Sequence, residues 1–443
     1  MAALLISDGT VVTLGESNRV LHGHDVLVED GRIRRIAPRG QAAPAGARVV
    51  DARGKLVMPG FINAHMHFYS TFARGLGKAA PSKDFGEVLE HLWWRLDKAL
   101  TLEGVYLSAL VALIDAVRHG TTTLVDHHAS PHAVRGSLDA IARAVGESGL
   151  RSCLCYELSD RDGAAIAEEG LEENAEFIRR CRAGGEPHLA ALFGLHASFT
   201  LSDGTIEKAV RLARELDAGF HVHLAEAASD QEHCLAEHGC RVVERFHRAG
   251  VLGPKTITAH GVHLDAREVE LLAGSGAAVA HNPQSNMNNA VGVADVPGML
   301  AAGVLVGLGT DAMTVDMREE LRAALWVRHL AARDPSAGFM ETTSLLVHGN
   351  RRIADRIWPG LGLGELREGG AADMVLLDYD PPTPLDEGTF LGHLVFGLAS
   401  AAVDTTIVGG RVLMEGKRLL LDLDEAELAA RSRSHAEALW QRF

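Results

Sequence analysis

Five short stretches carry side chains able to hold a cation and activate water. His65-Met66-His67 follows the apolar run LVMPGFINA. Alternate residues of a strand share one face, so both imidazoles can reach one cation. The stretch GFHVHLAE places His221 and His223 in the same alternation and adds Glu226 three residues later. TITAHGVH ends an apolar run in His260, AHNPQSN does so in His281, and GLGTD brings the first charge, Asp311, at the close of its run. Each has a plain alternative: a core histidine, a solvated glutamate, a helix-capping aspartate. Their recurrence at the ends of five apolar runs argues for one shared site. Three neutral histidines and one carboxylate suit Zn²⁺ or Fe²⁺ with a position left for water, whose pKa such a cation lowers to about 7. Two-cation sites need a bridging anion, often a carboxylated lysine. The chain has seven lysines and none between Lys98 and Lys208. One divalent metal ion is therefore expected, Zn²⁺ first and Fe²⁺ second, with a bridging glutamate left open.

Those run ends need a scaffold that gathers them. Apolar runs near 58–65, 121–127, 150–157, 189–196, 218–224, 256–260, 277–281 and 304–310 alternate with amphipathic stretches such as 102–120, which closes at Gly120. Eight strand-then-helix units predict a (β/α)₈ TIM-like barrel, whose strand ends converge on one mouth. A doubly wound open sheet is the alternative. Residues 1–58 read instead as short strands with Asp8-Gly9 and Asp30-Gly31 turns, and residues 369–421 repeat that grammar. The expected organisation is an α/β chain: a small β-sandwich domain formed from both chain ends, 1–58 and 361–443, around a barrel of 59–360. A closing helix is expected over 424–443.

Composition narrows the function classes. The 443 residues are 47% hydrophobic and 23% charged, which fits a globular chain and excludes a low-complexity one. With 43 basic and 58 acidic residues the net charge is −15, which argues against nucleic acid or an anionic membrane as partner. The longest apolar runs stop near 13 residues, too short to span a bilayer, and the N-terminal stretch lacks a basic leader. Five scattered cysteines argue against a disulfide framework and for a cytoplasmic setting, with Cys153 and Cys155 read as a buried strand. Trp93 and Trp94 could stack on a flat ring, but adjacent tryptophans more often pack in a core or a dimer contact. His127 and His128 follow the second run, and one of them can enter the mouth.

PGFINAHMHFYSTFARG (59–75), HASFT (196–200), HVHLAE (221–226), AHGVHL (259–264), HNPQSN (281–286) and LGTDA (308–312) together resemble the amidohydrolase superfamily, in its cytosine/guanine deaminase and chlorohydrolase branch. LWWRLDKAL, VDHHASP and SNMNN look most like SsnA-type aminohydrolases of purine-degrading anaerobes. The resemblance spans nearly the whole chain. It implies His65, His67, His223 and Asp311 as metal ligands. It implies Glu226 as proton shuttle, Asp311 or Glu226 as the catalytic group that takes the water's proton, and His260 as the group that orients the attacking water or polarises the substrate. Arg74 and His196 would face the substrate, and His281 would contact the substrate or support the residues around it. The implied reaction is hydrolytic deamination of a purine-like or other N-heterocyclic ring by a homodimer. Cyclic-amide ring opening and triazine-type dehalogenation use the same site and are the alternatives. A silent scaffold would have lost these groups, and this chain retains them.

Overall fold

The computed structural model describes residues 3–41, 44 and 46–443. The first strands are β1 (Leu4–Val12), β2 (Val20–Glu29), β3 (Arg32–Pro38), β4 (Arg48–Asp51) and β5 (Lys55–Pro59). The last are β15 (Met374–Asp378), β16 (Ala402–Val408), β17 (Arg411–Glu415) and β18 (Arg418–Leu419). These nine strands from both chain ends share one sheet, in the order β18-β17-β16-β15-β5-β1-β2-β3, with β4 on β1. The seam is the antiparallel pairing of β5 and β15, from Lys55 opposite Asp378 to Pro59 opposite Met374. Ile6, Val11, Ile33, Met374, Leu376 and Ile407 are fully buried in one cluster under this sheet. Strands from both ends of the chain thus meet in one continuous hydrogen-bonded sheet.

Between them run β6 (Phe61–Met66), β7 (Thr121–Asp126), β8 (Arg151–Leu154), β9 (Leu189–Ala191), β10 (Phe193–Leu195), β11 (Phe220–Leu224), β12 (Ile257–His260), β13 (Ala278–His281) and β14 (Leu305–Leu308). They form two parallel sheets, β6 to β9 and β10 to β14. Bridges join the sheets at both edges, Met66 with Asp311 and Leu158 with Leu195. Helices alternate with these strands, so the middle of the chain is a TIM-barrel-like α/β arrangement. Strands covered on both faces read as unbroken apolar runs rather than alternating ones, and β7, β11 and β14 are buried throughout. The expected helix over 102–120 is Leu102–His119. Thr101 caps its start, accepting from Gly104 N, and Gly120 ends it at φ 76°. The closing helix is Glu425–Arg442, and its Trp440 Nε1 donates to Phe72 O (2.8 Å), just beyond β6. Among the described residues no single helix is long and apolar enough to cross a membrane.

Candidate metal centre and active site

Parallel strands deliver their polar residues to one end. His65 lies in β6, His67 directly after it, His223 in β11 and His260 at the end of β12; Glu226 and Asp311 follow β11 and β14 within three residues. All six are buried. The backbone bends sharply there: Ala225, His260 and Asp311 hold φ of 47°, 75° and 53°. Non-glycine residues rarely adopt this left-handed region, and such strain concentrates at functional sites.

The imidazoles show what they are arranged for. His67 Nδ1 donates to His127 O, and His223 Nδ1 donates to His196 O at 3.0 Å. Each neutral ring therefore turns an Nε2 lone pair inward. Those two Nε2 atoms lie 3.2 Å apart, and His67 Nε2 is 3.0 Å from Asp311 Oδ1. Lone pairs aimed at one another and at a carboxylate repel unless a cation stands among them. Two nitrogens bound about 2.0–2.1 Å from one tetrahedral Zn²⁺ would sit roughly 3.3 Å apart. His65 Nδ1 is engaged by His221 Nε2 at 2.9 Å, and its Nε2, 3.7 Å from Asp311 Oδ1, is buried without a hydrogen bond. His260 Nδ1 meets Asn286 Oδ1 at 2.9 Å, and its Nε2 is likewise orphaned, 3.4 Å from Glu226 Oε2 and 3.7 Å from Asp311 Oδ2. The donor set fits a divalent metal ion: ligating atoms lie within 4.8 Å of one another in the groups His65, His67 and Asp311; His65, His223 and His260; and His67, His127, Glu157 and His223.

Electrostatics agree. Burial opposes charge on His67, yet the hydrogen bond and charge of Asp311 push its pKa up to about 9. That field favours a positive charge, which a cation can provide instead of a proton. Burial holds His65 down to about 3 and His223 well below its ordinary value, as suits neutral ligands. Burial acts on Asp311 in the opposite sense, but His65 and His67 hold it well below the usual carboxylate range. Glu226 is pushed up to about 7, chiefly by burial, with His260 opposing and Asp311 reinforcing. Ser285 Oγ donates to Asp311 Oδ2 (2.5 Å), and Asn289 Nδ2 to Glu226 Oε1 (3.2 Å).

A cavity of about 310 Å³ opens onto this cluster. His67, His196, His223, Glu226 and Asp311 line it. Two expectations need correction. Arg74 does not face the cavity: its side chain is 54% exposed and pairs with Asp115 (2.9 Å), because it follows the turn after β6 on the outer side. His281 is buried but lines a separate small hollow beside Val296 and Ala324 rather than the main cavity. Trp93 and Trp94 line the cavity, as the stacking alternative had it, and Trp93 also packs against the hydrophobic core. His127 and His128 are both buried; His127 Nε2 contacts Leu195 O and His221 O, below the centre. Sequence reasoning missed Glu157, Asp97 and Tyr69, all cavity residues. Glu157 follows β8 as Glu226 follows β11, and that position was the available signal.

A family model for the Amidohydrolase family matches residues 56–413. The chain is 32% identical over 453 residues to a 5-methylthioadenosine/S-adenosylhomocysteine deaminase of Pelotomaculum thermopropionicum, covering 100% of both chains. It is 31% identical over 443 residues to a 5'-deoxyadenosine deaminase of Methanosarcina mazei, covering 99% of each. Among solved structures, a zinc-bound adenosine deaminase from Xanthomonas campestris superposes with a TM-score of 0.86, at 26% identity over 99% of both chains.

Proposed function

This chain belongs to the Amidohydrolase family, and we propose that it is a metal-dependent hydrolase that removes an amino group from a purine-like ring. The observation that carries this reading is the set of inward lone pairs on His65, His67 and His223 around Asp311, with the Glu226 carboxyl beside them. Deaminase names among its relatives support the same reaction.

Tyr69, Trp93, Trp94 and Phe199 offer flat apolar walls for a planar ring. When bound, the divalent ion, read as Zn²⁺ with Fe²⁺ as alternative, polarises water and stabilises developing negative charge. Glu226 then holds and moves the proton. A carboxyl brought near neutrality by burial can give a proton to the ring nitrogen beside the reacting carbon and regain one from the water. Asn289 fixes Oε1 of Glu226 and leaves Oε2 turned to His260. His260, oriented by Asn286, directs Nε2 at the position of the attacking oxygen. His196 lines the cavity on the substrate side. Oxygen from the water bonds to the ring carbon, Glu226 passes the remaining water proton to the amino group, and the carbon–nitrogen bond breaks to leave ammonia and a ring carbonyl.

The same reading takes the two parallel sheets as one closed (β/α)₈ barrel over 59–360, and the terminal strands of 1–58 and 361–443 as a small sandwich. It places the enzyme in the cytoplasm, consistent with five free cysteines. It pictures a homodimer, with Trp326, Leu330, Met340 and Phe396 as exposed apolar residues available to cover. The test is ammonia release from amino-purines, amino-pterins and amino-triazines by the zinc-loaded protein. Ammonia from at least one ring is expected. Ring-absorbance loss or chloride release without ammonia would contradict deamination.

A further inference from the structure

The cavity wall holds a carboxylate that the deamination chemistry leaves idle. Glu157 is 6% exposed. Its Oε2 faces His127 Nδ1 at 3.2 Å. Its Oε1 receives no hydrogen bond from any described residue; His196 Nε2 stands 3.6 Å away, beyond hydrogen-bond reach. Asp97 nearby differs: Arg161 Nη2 donates to Oδ2, Oδ1 is closed off without a partner, and burial pushes its pKa up to about 7, so this carboxyl can carry a proton of its own. Both residues line the cavity. A cavity-lining carboxylate oxygen that no protein group donates to is left for water or for a donor on the ligand, and a ligand that displaces the water must supply that donor. Position narrows the ligand. Glu157 groups with His127, His67 and His223, their ligating atoms all within 4.8 Å of one another. Glu226 groups instead with His260 and Asp311. Glu157 therefore stands beside the histidines of the candidate centre, in a set of side chains that could itself hold a cation, and so close to where the chemistry would occur.

We propose that Glu157 reads a ring N–H of the substrate, so that this enzyme prefers amino-heterocycles carrying a lactam N–H over rings that offer only nitrogen lone pairs there. Negative charge on the ring would meet Glu157 and be rejected. The proposal rests on the deaminase reading, whose reacting centre Glu157 borders. A site built to bond a substrate N–H discriminates strongly against an analogue lacking it, because its own buried acceptor is then left unpaired.

Adenine and isoguanine carry the same amino group, and isoguanine adds a ring carbonyl and a ring N–H. The zinc-loaded full chain is assayed with both, for kcat/KM by ammonia release and for affinity by competition. Isoguanine is expected to lead by about tenfold or more in affinity and in kcat/KM. In Glu157→Gln, with its melting temperature checked, the lead should shrink to less than about threefold while adenine binding is retained. The wild-type comparison stands alone if that variant does not fold. Equal or better binding of adenine, or no binding of either ring, overturns the proposal. So does a preference for adenosine that disappears with 2',3'-dideoxyadenosine, which would assign the acceptors to sugar hydroxyls. Tenfold tighter isoguanine binding without ammonia from any ring supports the N–H subsite while rejecting deamination.

Discussion

His67 Nδ1 is bound by a backbone carbonyl, and that single hydrogen bond decides which nitrogen faces the centre. The same holds for His223 and the carbonyl of His196. Partners behind a ligating ring commonly fix its tautomer in this way. Glu226 plays the other part, a proton carrier rather than a ligand. Glu226→Gln keeps the shape and removes the proton. We predict a fall in kcat of about 10²- to 10⁴-fold with zinc content unchanged, measured by steady-state ammonia release and metal analysis. A variant with nearly full kcat would remove Glu226 from the reaction. The ligands were legible because His65-Met66-His67 and His221-Val222-His223 repeat one pattern at run ends. Glu157 and Asp97 carry no motif, and only folding shows their oxygens facing a cavity. Arg74 was assigned to the substrate from the motif it closes, and a motif does not fix side-chain direction: its guanidinium turns out to Asp115.

Strands and their connections hold these groups in place. Gly309 sits where the β14 end passes β6. A Cβ there would lie 2.8 Å from both His65 Cβ and His65 O, and 2.5 Å from Asn282 Oδ1. Gly309→Ala must push β6 and the first metal ligand. A loss of about 1–3 kcal/mol in unfolding free energy is expected, together with weakened zinc retention. Denaturant unfolding and dialysis against a chelator measure the two effects. Glu320, on the helix Met317–Ala332, accepts from Gln284 N, and burial pushes its pKa up to about 8 from an ordinary 4.5. Folding takes up a proton between those values, so stability declines as pH rises from about 4.5 to 8 and stays reduced above. Glu320→Gln should raise the melting temperature at pH 8.5 and give little gain below pH 4.5. An equal gain at both pH values would contradict this. At this scale the strands of the middle segment were readable within a few residues from unbroken apolar runs. The pairing of β5 with β15 was not, since only 5 residues on each side meet across more than 300 positions of chain. The pattern assigned both sets of short strands to one domain, but it did not show that they pair edge to edge in a single sheet.

The whole molecule divides its sequence by role. Chain ends build the nine-stranded sheet, and the middle presents its strand ends to one cavity. The charge of −15 remains an argument about partners and says nothing of the reaction. Recurrence of histidine at strand ends carried the functional reading, because parallel strands bring those ends together. A ligand that binds only the folded state raises its stability by mass action. The most direct test strips the protein with a chelator, restores one equivalent of Zn²⁺, and follows zinc content, melting temperature and ammonia release together, beside His67→Ala. We predict about one zinc per chain, a higher melting temperature with zinc, and ammonia release that vanishes on stripping and returns on reconstitution. His67→Ala should hold little zinc and release little ammonia. Full activity in the stripped protein, or in His67→Ala without bound metal, would contradict the metal centre.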